Sequence, residues 1–301
     1  MKAEPTDTRQ QPRWLDPGAQ SGPTVMRIVL GTQLRRLREA AGISRHAAGE
    51  AIRASHAKIS RLELGRVGFK ERDIVDLLAL YGVTDEREQE SYLGLVTKAN
   101  ARGWWHQDHD LLPSWFEMYL RLEQEAAFIR TYQVQFMPGL LQCEPYARNV
   151  IRAGHAGESA YEVDRRVQLR ISRQKMLTEP GAPQLWAVID EAALRRPFGP
   201  PSVMRMQLEY LLEMVTLPNV TLQVLPFHIG SHAAAGGPFS ILRFAEPDLP
   251  DIVYLEQLNS AVYLDKRADI EGYLEVMERV SVQAATPTAS YAMLRQALAE
   301  L

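Results

Sequence analysis

The sequence predicts two folded units: an α-helical N-terminal domain of about five helices and a larger α/β C-terminal domain with a small sheet. At 301 residues the chain exceeds one typical domain, and its 46% hydrophobic content supplies two cores. Short segments with helical spacing of apolar residues come first, and β-branched runs bounded by Gly, Pro or Asp appear only later. We predict a disordered tail over residues 1–26, a helical domain over 27–101, a connector over 102–114 and an α/β domain over 115–301.

The opening stretch and the cysteine content indicate the cellular compartment. The first 23 residues are polar, include four prolines and contain no apolar run as long as a signal peptide or a membrane span. Cys143 is the single cysteine, so the chain cannot form an internal disulfide. These features predict a cytoplasmic protein without membrane contact.

Three short helices of the N-terminal domain are predicted to share one small core. Each carries only two or three apolar residues on a single stripe, so none is stable alone. Ser44 and Ser55 have the side-chain oxygen that caps the second and third helices. Ile59 and Leu62 form the inward side of the third helix, and Gly65 ends it. The five predicted helical segments run over about residues 30–41, 44–52, 55–65, 72–81 and 84–101.

The C-terminal domain is predicted to alternate helices and strands. Helical spacing indicates helices over about residues 115–129, 144–153, 161–177, 203–216, 270–284 and 288–299. Runs of β-branched and aromatic residues indicate strands over about 185–190, 220–227, 239–245 and 252–257.

Charge is distributed unevenly along the chain. Residues 27–72 hold eleven Lys or Arg against four Glu, a net charge of +7, and the net charge of −3 for the whole chain leaves −10 elsewhere. A basic segment on an acidic chain is typical of a nucleic-acid-binding domain attached to another unit. A solvated basic face is the alternative explanation.

The second and third helices, joined by a short turn, form the pattern of a helix-turn-helix. In that motif the third helix lies in the major groove, and residues near its start face the bases. Arg61 suits bidentate bonds to guanine, His56 suits a base edge, and the methyl group of Ala57 suits thymine. Lys58 and Arg45 are better placed for phosphates. The predicted interface with double-stranded DNA consists of Arg45, Ser55, His56, Ala57, Lys58, Ser60 and Arg61.

A sequence-specific DNA-binding regulator is therefore the predicted function. One reading helix covers only a few base pairs, and two-fold pairing of two copies doubles the contacts. We therefore expect a homodimer.

Residues 34–66 resemble the helix-turn-helix of the XRE-type phage-repressor class. They read LRRLREAAGISRHAAGEAIRASHAKISRLELGR, and the ending S-x-x-K-I-S-R-L-E-x-G-R carries most of the likeness. The resemblance implies a lambda-repressor-like fold and a partly buried ion pair between Arg38 and Glu63, which ties the reading helix to the scaffold. Gly49 and Arg53 stand where the family usually has Ala and Gly, and this departure predicts a looser or shifted turn.

Several later motifs resemble the C-terminal domain of unknown function in actinobacterial antitoxin-like regulators. They are LEQEAAFIR (residues 122–130), MPGLLQ (137–142) followed by YAR (146–148), RISRQKML (170–177), VIDEAALRR (188–196) and VLP (224–226). The resemblance implies a transcriptional regulator whose gene often stands beside one for a small partner protein. It implies no activity for this domain, so the motifs are either fold determinants or parts of a site.

Three roles remain open for the C-terminal domain: docking of a small basic partner protein, binding of a small-molecule effector, and oligomerisation. The acidic charge favours the first. His228 and His232 lie on a glycine-containing loop after a predicted strand, which is a common position for a ligand and also for loops without function. Trp104 and Trp105 either stack on a ligand or fill a domain junction.

An enzyme is disfavoured by the motifs of the chain. It contains no G-x-S-x-G, phosphate-binding loop, G-x-G-x-x-G or H-E-x-x-H. Glu256 lies near a predicted strand end, where a metal-dependent nuclease places acids, but solvation of a sheet edge explains it adequately. We predict no catalytic residue, no cofactor and no metal site.

Overall fold

The computed structural model describes residues 23–100, 110–246 and 249–301. The predicted tail as far as residue 22 and the predicted connector as far as residue 109 lie outside these ranges. The chain divides into two compact units between residues 101 and 102. The first unit is helical and the second combines helices with a six-stranded sheet, which confirms the predicted fold class.

Five helices make up the described part of the N-terminal unit. α1 begins earlier than predicted, so residues 23–26, assigned to the tail from the sequence, are helical. Proline is favoured at a first helical position because its φ is already helical, and Met26 joins the core. The helices are α1 (Pro23–Ala40), α2 (Arg45–Ala51), α3 (His56–Glu63), α4 (Glu71–Leu80) and α5 (Glu86–Ala99).

The helices of this unit share a single apolar core, because each is short and amphipathic. Leu30 and Leu34 of α1, Ile59 of α3 and Ile74 of α4 are almost completely buried within it. α1 packs against both α3 and α5, and α4 packs against α2 and α5. The core therefore lies beneath α3 and leaves its other side for solvent.

The C-terminal unit contains seven α-helices, three short 3-10 helices and six strands within its described residues. The helices are α6 (Ser114–Glu125), α7 (Glu144–Gly154), α8 (Ala160–Gln174), α9 (Glu191–Arg195), α10 (Pro201–Met214), α11 (Arg267–Gln283) and α12 (Pro287–Ala299). The strands are β1 (Phe128–Gln133), β2 (Gln184–Asp190), β3 (Val220–Leu225), β4 (Phe239–Arg243), β5 (Ile252–Glu256) and β6 (Ala261–Leu264). None of the described helices has both the length and the apolar composition of a membrane span.

The sheet is mixed, with the strand order β3-β2-β1-β4-β5-β6. β1 pairs in parallel with β2 and antiparallel with β4, and β2 pairs in parallel with β3. The sequence prediction missed β1 and β6 and extended one helix over residues 115–129. That helix ends at Glu125, and β1 begins at Phe128. The error arose because β1 has only six residues, too few for a period to separate a strand from the end of the preceding helix.

Three of the C-terminal motifs meet in one buried polar network. Arg173 of α8 donates to Glu123 of α6 at 3.0 Å, and Arg170 donates to Gln142 at 2.8 Å. Gln174 donates to the backbone oxygen of Gln142 at 2.7 Å. Burial, together with the neighbouring Arg173, lowers the pKa of Arg170 to about 10. Because buried polar groups must be satisfied, these motifs join α6 and α8 to the segment after β1 and so act as fold determinants.

Candidate nucleic-acid interface

Helix α3 separates an inward apolar side from an outward polar side. Ser55 is its N-cap, and the Ser55 hydroxyl accepts from the backbone N–H of Lys58 at 3.3 Å. Ile59 and Leu62 are buried against the core. The predicted interface residues Ser55, His56, Ala57 and Arg61 are exposed, and Ser60 is half-buried. The outward side therefore presents the groups that the sequence assigned to base contacts.

A buried carboxylate ties α3 to the helices before it. Glu63 is 4% exposed and accepts from Nε of Arg38 at 2.5 Å and from Nε of Arg45 at 2.8 Å. Arg38 is also buried, and it donates to the backbone oxygen of Ile43 at 2.8 Å. The hydrogen bond with Glu63 raises the pKa of Arg38. The ion pair implied by the resemblance is thus present and includes a second arginine, Arg45, from α2.

A second ion pair joins α3 to α4. Nζ of Lys58 lies 2.5 Å from Oδ2 of Asp73, which is 3% exposed. The Lys58 side chain is 30% exposed, and that of Arg45 is 41% exposed. Both cations assigned to phosphates from the sequence therefore have an internal carboxylate partner, and both remain reachable from solvent.

Backbone hydrogen bonds hold the turn between α2 and α3, for which Gly49 and Arg53 predicted a looser or shifted course. The backbone N–H of Ala54 donates to Gly49 at 2.8 Å, and that of Arg53 donates to Glu50 at 3.0 Å. A Cβ at Gly49 would lie 2.7 Å from the oxygen of Ala54, so the α2 backbone touches the turn directly. Arg53 takes the left-handed conformation with φ 54°, which costs an L-residue about 1 to 2 kcal/mol.

Two glycines allow the backbone of α1 to approach the end of α3. A Cβ at Gly31 would lie 2.5 Å from the oxygen of Leu62 and 2.7 Å from that of Glu63. Gly65 adopts φ 64° two residues after the end of α3, and a Cβ there would lie 2.9 Å from the α1 backbone at Arg27. These contacts set how far α3 stands from the scaffold, and the sequence prediction did not include Gly31.

The basic segment around α3 includes exposed cations that are not neutralised within the protein. Between residues 27 and 72, six exposed Lys or Arg side chains have no carboxylate partner among the residues that the structure describes: Arg36, Arg53, Arg61, Arg66, Lys70 and Arg72. Of these, only Arg61 was among the residues assigned to DNA from the sequence. The net charge of +7 was the available signal, but it did not show which cations remain unpaired.

The other candidates from the sequence are scattered over the chain. Trp104 and Trp105 lie outside the described residues. His228 is exposed, whereas the ring of His232 contacts the edge of buried Tyr132. Glu256 ends β5 and accepts from the hydroxyl of Tyr254 at 2.9 Å. Within the described part of the chain, no three His, Cys, Asp or Glu side chains converge as a metal site requires.

One shallow concavity lies in the C-terminal unit, away from the loop that carries His228 and His232. It is an open surface depression beside the start of β1 and the end of β4, and its lining includes Arg130, Arg243 and Asp251. The two histidines instead follow β3, and His232 lies at the opposite end of β1, next to Tyr132. The effector pocket expected near these histidines is therefore not at this concavity.

Comparison with known families agrees with the division into two units. Residues 29–90 match a helix-turn-helix domain, and residues 116–296 match a domain of unknown function (DUF5753). No curated protein matches the chain, and no solved structure matches it. The second match covers more than half of the chain, so the protein belongs to the DUF5753 domain family and carries an N-terminal helix-turn-helix.

Proposed function

We propose that this protein is a sequence-specific DNA-binding transcriptional regulator that inserts α3 into the major groove. The supporting observation is the division of α3, with His56, Ala57 and Arg61 outward and Ile59 and Leu62 buried. A helix-turn-helix presents its second helix to base edges in this way.

Base contacts are assigned to the outward side of α3. Arg61 donates two bonds to guanine, His56 bonds a base edge, and Ala57 contacts a thymine methyl group. Arg45 and Lys58 use the donors left over from their ion pairs for phosphates. Arg45 bonds Glu63 through Nε alone, and the Lys58 ammonium has three N–H groups for Asp73 and a phosphate.

Replacing Arg61 with alanine is expected to cost about 1 to 3 kcal/mol of affinity on the best sequence and to relax preference at one base pair. The measurement is a binding selection on random duplexes, followed by titration of the selected sequence. Arg45→Ala is the comparison variant. It should weaken binding to all sequences similarly and reduce the slope of log affinity against log salt concentration. Arg87→Ala on α5, also exposed, should leave binding unchanged. Unaltered specificity in Arg61→Ala would refute the assignment.

A homodimer extends this proposal. Two copies would place two α3 helices in successive major grooves, about 34 Å or a multiple apart. The same binding selection tests this directly, because a dimer selects paired half-sites and a monomer selects a single short site.

For the C-terminal unit we propose docking of a small basic protein, expected from a neighbouring gene. The supporting surface lies on α10, where Glu209 and Glu213 are exposed four residues apart and have no cationic partner among the described residues. Met206, 40% exposed, adds an apolar group one turn earlier on the same helix. Exposed Arg205 lies one turn before Glu209, so the row carries a net charge of −1. Its acidic pair and apolar contact are complementary to a basic, amphipathic partner.

Capture of such a partner should depend on this face. The full chain, used as bait in an extract of its host, is expected to retain a small basic protein at low salt and release it as salt rises. The double variant Glu209→Gln, Glu213→Gln should retain much less of this partner. The control is Glu86→Gln, Glu90→Gln on α5, which removes an equivalent exposed acidic pair and should retain as much of the partner as the natural chain does. Recovery of the regulator alone at low salt would exclude docking.

A further inference from the structure

Arg53 is held in a strained conformation that its side chain does not help to form. It is the one non-glycine residue with positive φ in the described part of the chain. Backbone hydrogen bonds from Arg53 to Glu50 and from Ala54 to Gly49 form the turn. Glycine would take the same φ without strain. The arginine side chain is therefore not needed to shape the turn.

The guanidinium of Arg53 is free to act outside the protein. The side chain is exposed, and the structure gives it no hydrogen bond or ion pair among the residues described. By contrast, Arg45 and Lys58 on either side of it are tied to Glu63 and Asp73. Arg53 is thus an unneutralised cation two residues before Ser55, the N-cap of the reading helix.

We propose that Arg53 binds a DNA phosphate at the flank of the reading helix and that this contact is the reason for a strained, non-glycine residue in the turn. The inference rests on the proposed function, because it requires α3 to enter the major groove. A residue kept in a sparsely populated conformation at a binding surface is a recognised sign of a functional side chain. A phosphate contact adds affinity on every sequence and does not read bases.

Three variants separate the charge of Arg53 from its strain. Arg53→Gly removes both, Arg53→Asn removes the charge with a residue that tolerates the left-handed region, and Arg53→Lys keeps both. We expect Arg53→Gly to unfold at higher urea than the natural chain and yet to bind all duplexes about tenfold more weakly at low salt. Its slope of log affinity against log salt should be smaller by about one.

The same measurements on the other two variants complete the test. Arg53→Asn should lose affinity and slope as Arg53→Gly does, whereas Arg53→Lys should keep both near the natural values. The inference is overturned if both Arg53→Gly and Arg53→Asn bind as tightly as the natural chain and show the same slope of log affinity against log salt.

Arg61→Ala tests the proposed function independently of Arg53. If Arg61→Ala loses base preference while Arg53→Gly binds normally, only the phosphate contact is wrong. If the natural chain selects no duplex, the proposed function fails, and the role of Arg53 fails with it.

Discussion

Gly31→Ala is expected to lower the free energy of unfolding of the N-terminal unit by about 3 kcal/mol or more. The added Cβ would lie 2.5 Å from the backbone oxygen of Leu62. A Cβ is fixed by its own backbone, so neither atom can rotate away from the other. Overpacking against a rigid neighbour costs about 1 to 3 kcal/mol and occasionally more. Domains are stable by only about 5 to 15 kcal/mol, so this loss removes a large share. Urea unfolding followed by circular dichroism measures it, together with the loss of DNA binding.

Gly94→Ala is the matched control for Gly31→Ala. Gly94 also lies within a helix, α5, but its Cβ would meet nothing within 4 Å. Alanine there should stabilise the unit by about 1 kcal/mol, because glycine is a poor helix former. A Gly31→Ala variant that unfolds at the same urea concentration as Gly94→Ala would show that α1 and α3 are not in backbone contact.

Glu63→Gln is expected to destabilise the N-terminal unit by about 3 to 5 kcal/mol, because it removes the buried carboxylate from Arg38 and leaves that buried guanidinium only the exposed Glu39 as a charge partner. Urea unfolding provides the measurement. Glu39→Gln is the control, since the Glu39 side chain is 52% exposed and its pairs with Arg35 and Arg38 are worth about 0 to 1 kcal/mol.

A paired replacement tests the physical reason. Arg38→Met with Glu63→Leu removes both buried charges at once and should recover most of the lost stability. If Glu63→Gln costs no more than Glu39→Gln, the buried ion pair does not hold α3 in place.

The helices of the N-terminal unit were predictable because their ends are marked locally. Ser44 and Ser55 accept backbone hydrogen bonds as N-caps, and Gly65 follows α3 in the left-handed region. These signals act within one helical turn, so a single sequence reveals them. The predicted bounds of α2 and α3 accordingly lie within two residues of those observed, whereas the start of α1 was placed too late.

The central strand of the sheet was not predictable in the same way. β1 spans six residues, and its identity as a strand depends on pairing with β2 and β4, far along the chain. Six residues directly after α6 are too few for a local pattern to separate a strand from a continuing helix. The missed strand therefore reflects information held in partners distant in sequence.

By itself, the sequence determined the helix-turn-helix and the side of α3 that faces outward, because capping and apolar spacing are local properties. Only the tertiary structure decided which cations are bound internally and which are free, since Lys58 meets Asp73 and Arg45 meets Glu63 across separate helices. It also decided that Gly31 must lack a side chain. Ion pairing and backbone contact depend on distances between elements, and those distances exist only once the helices have packed.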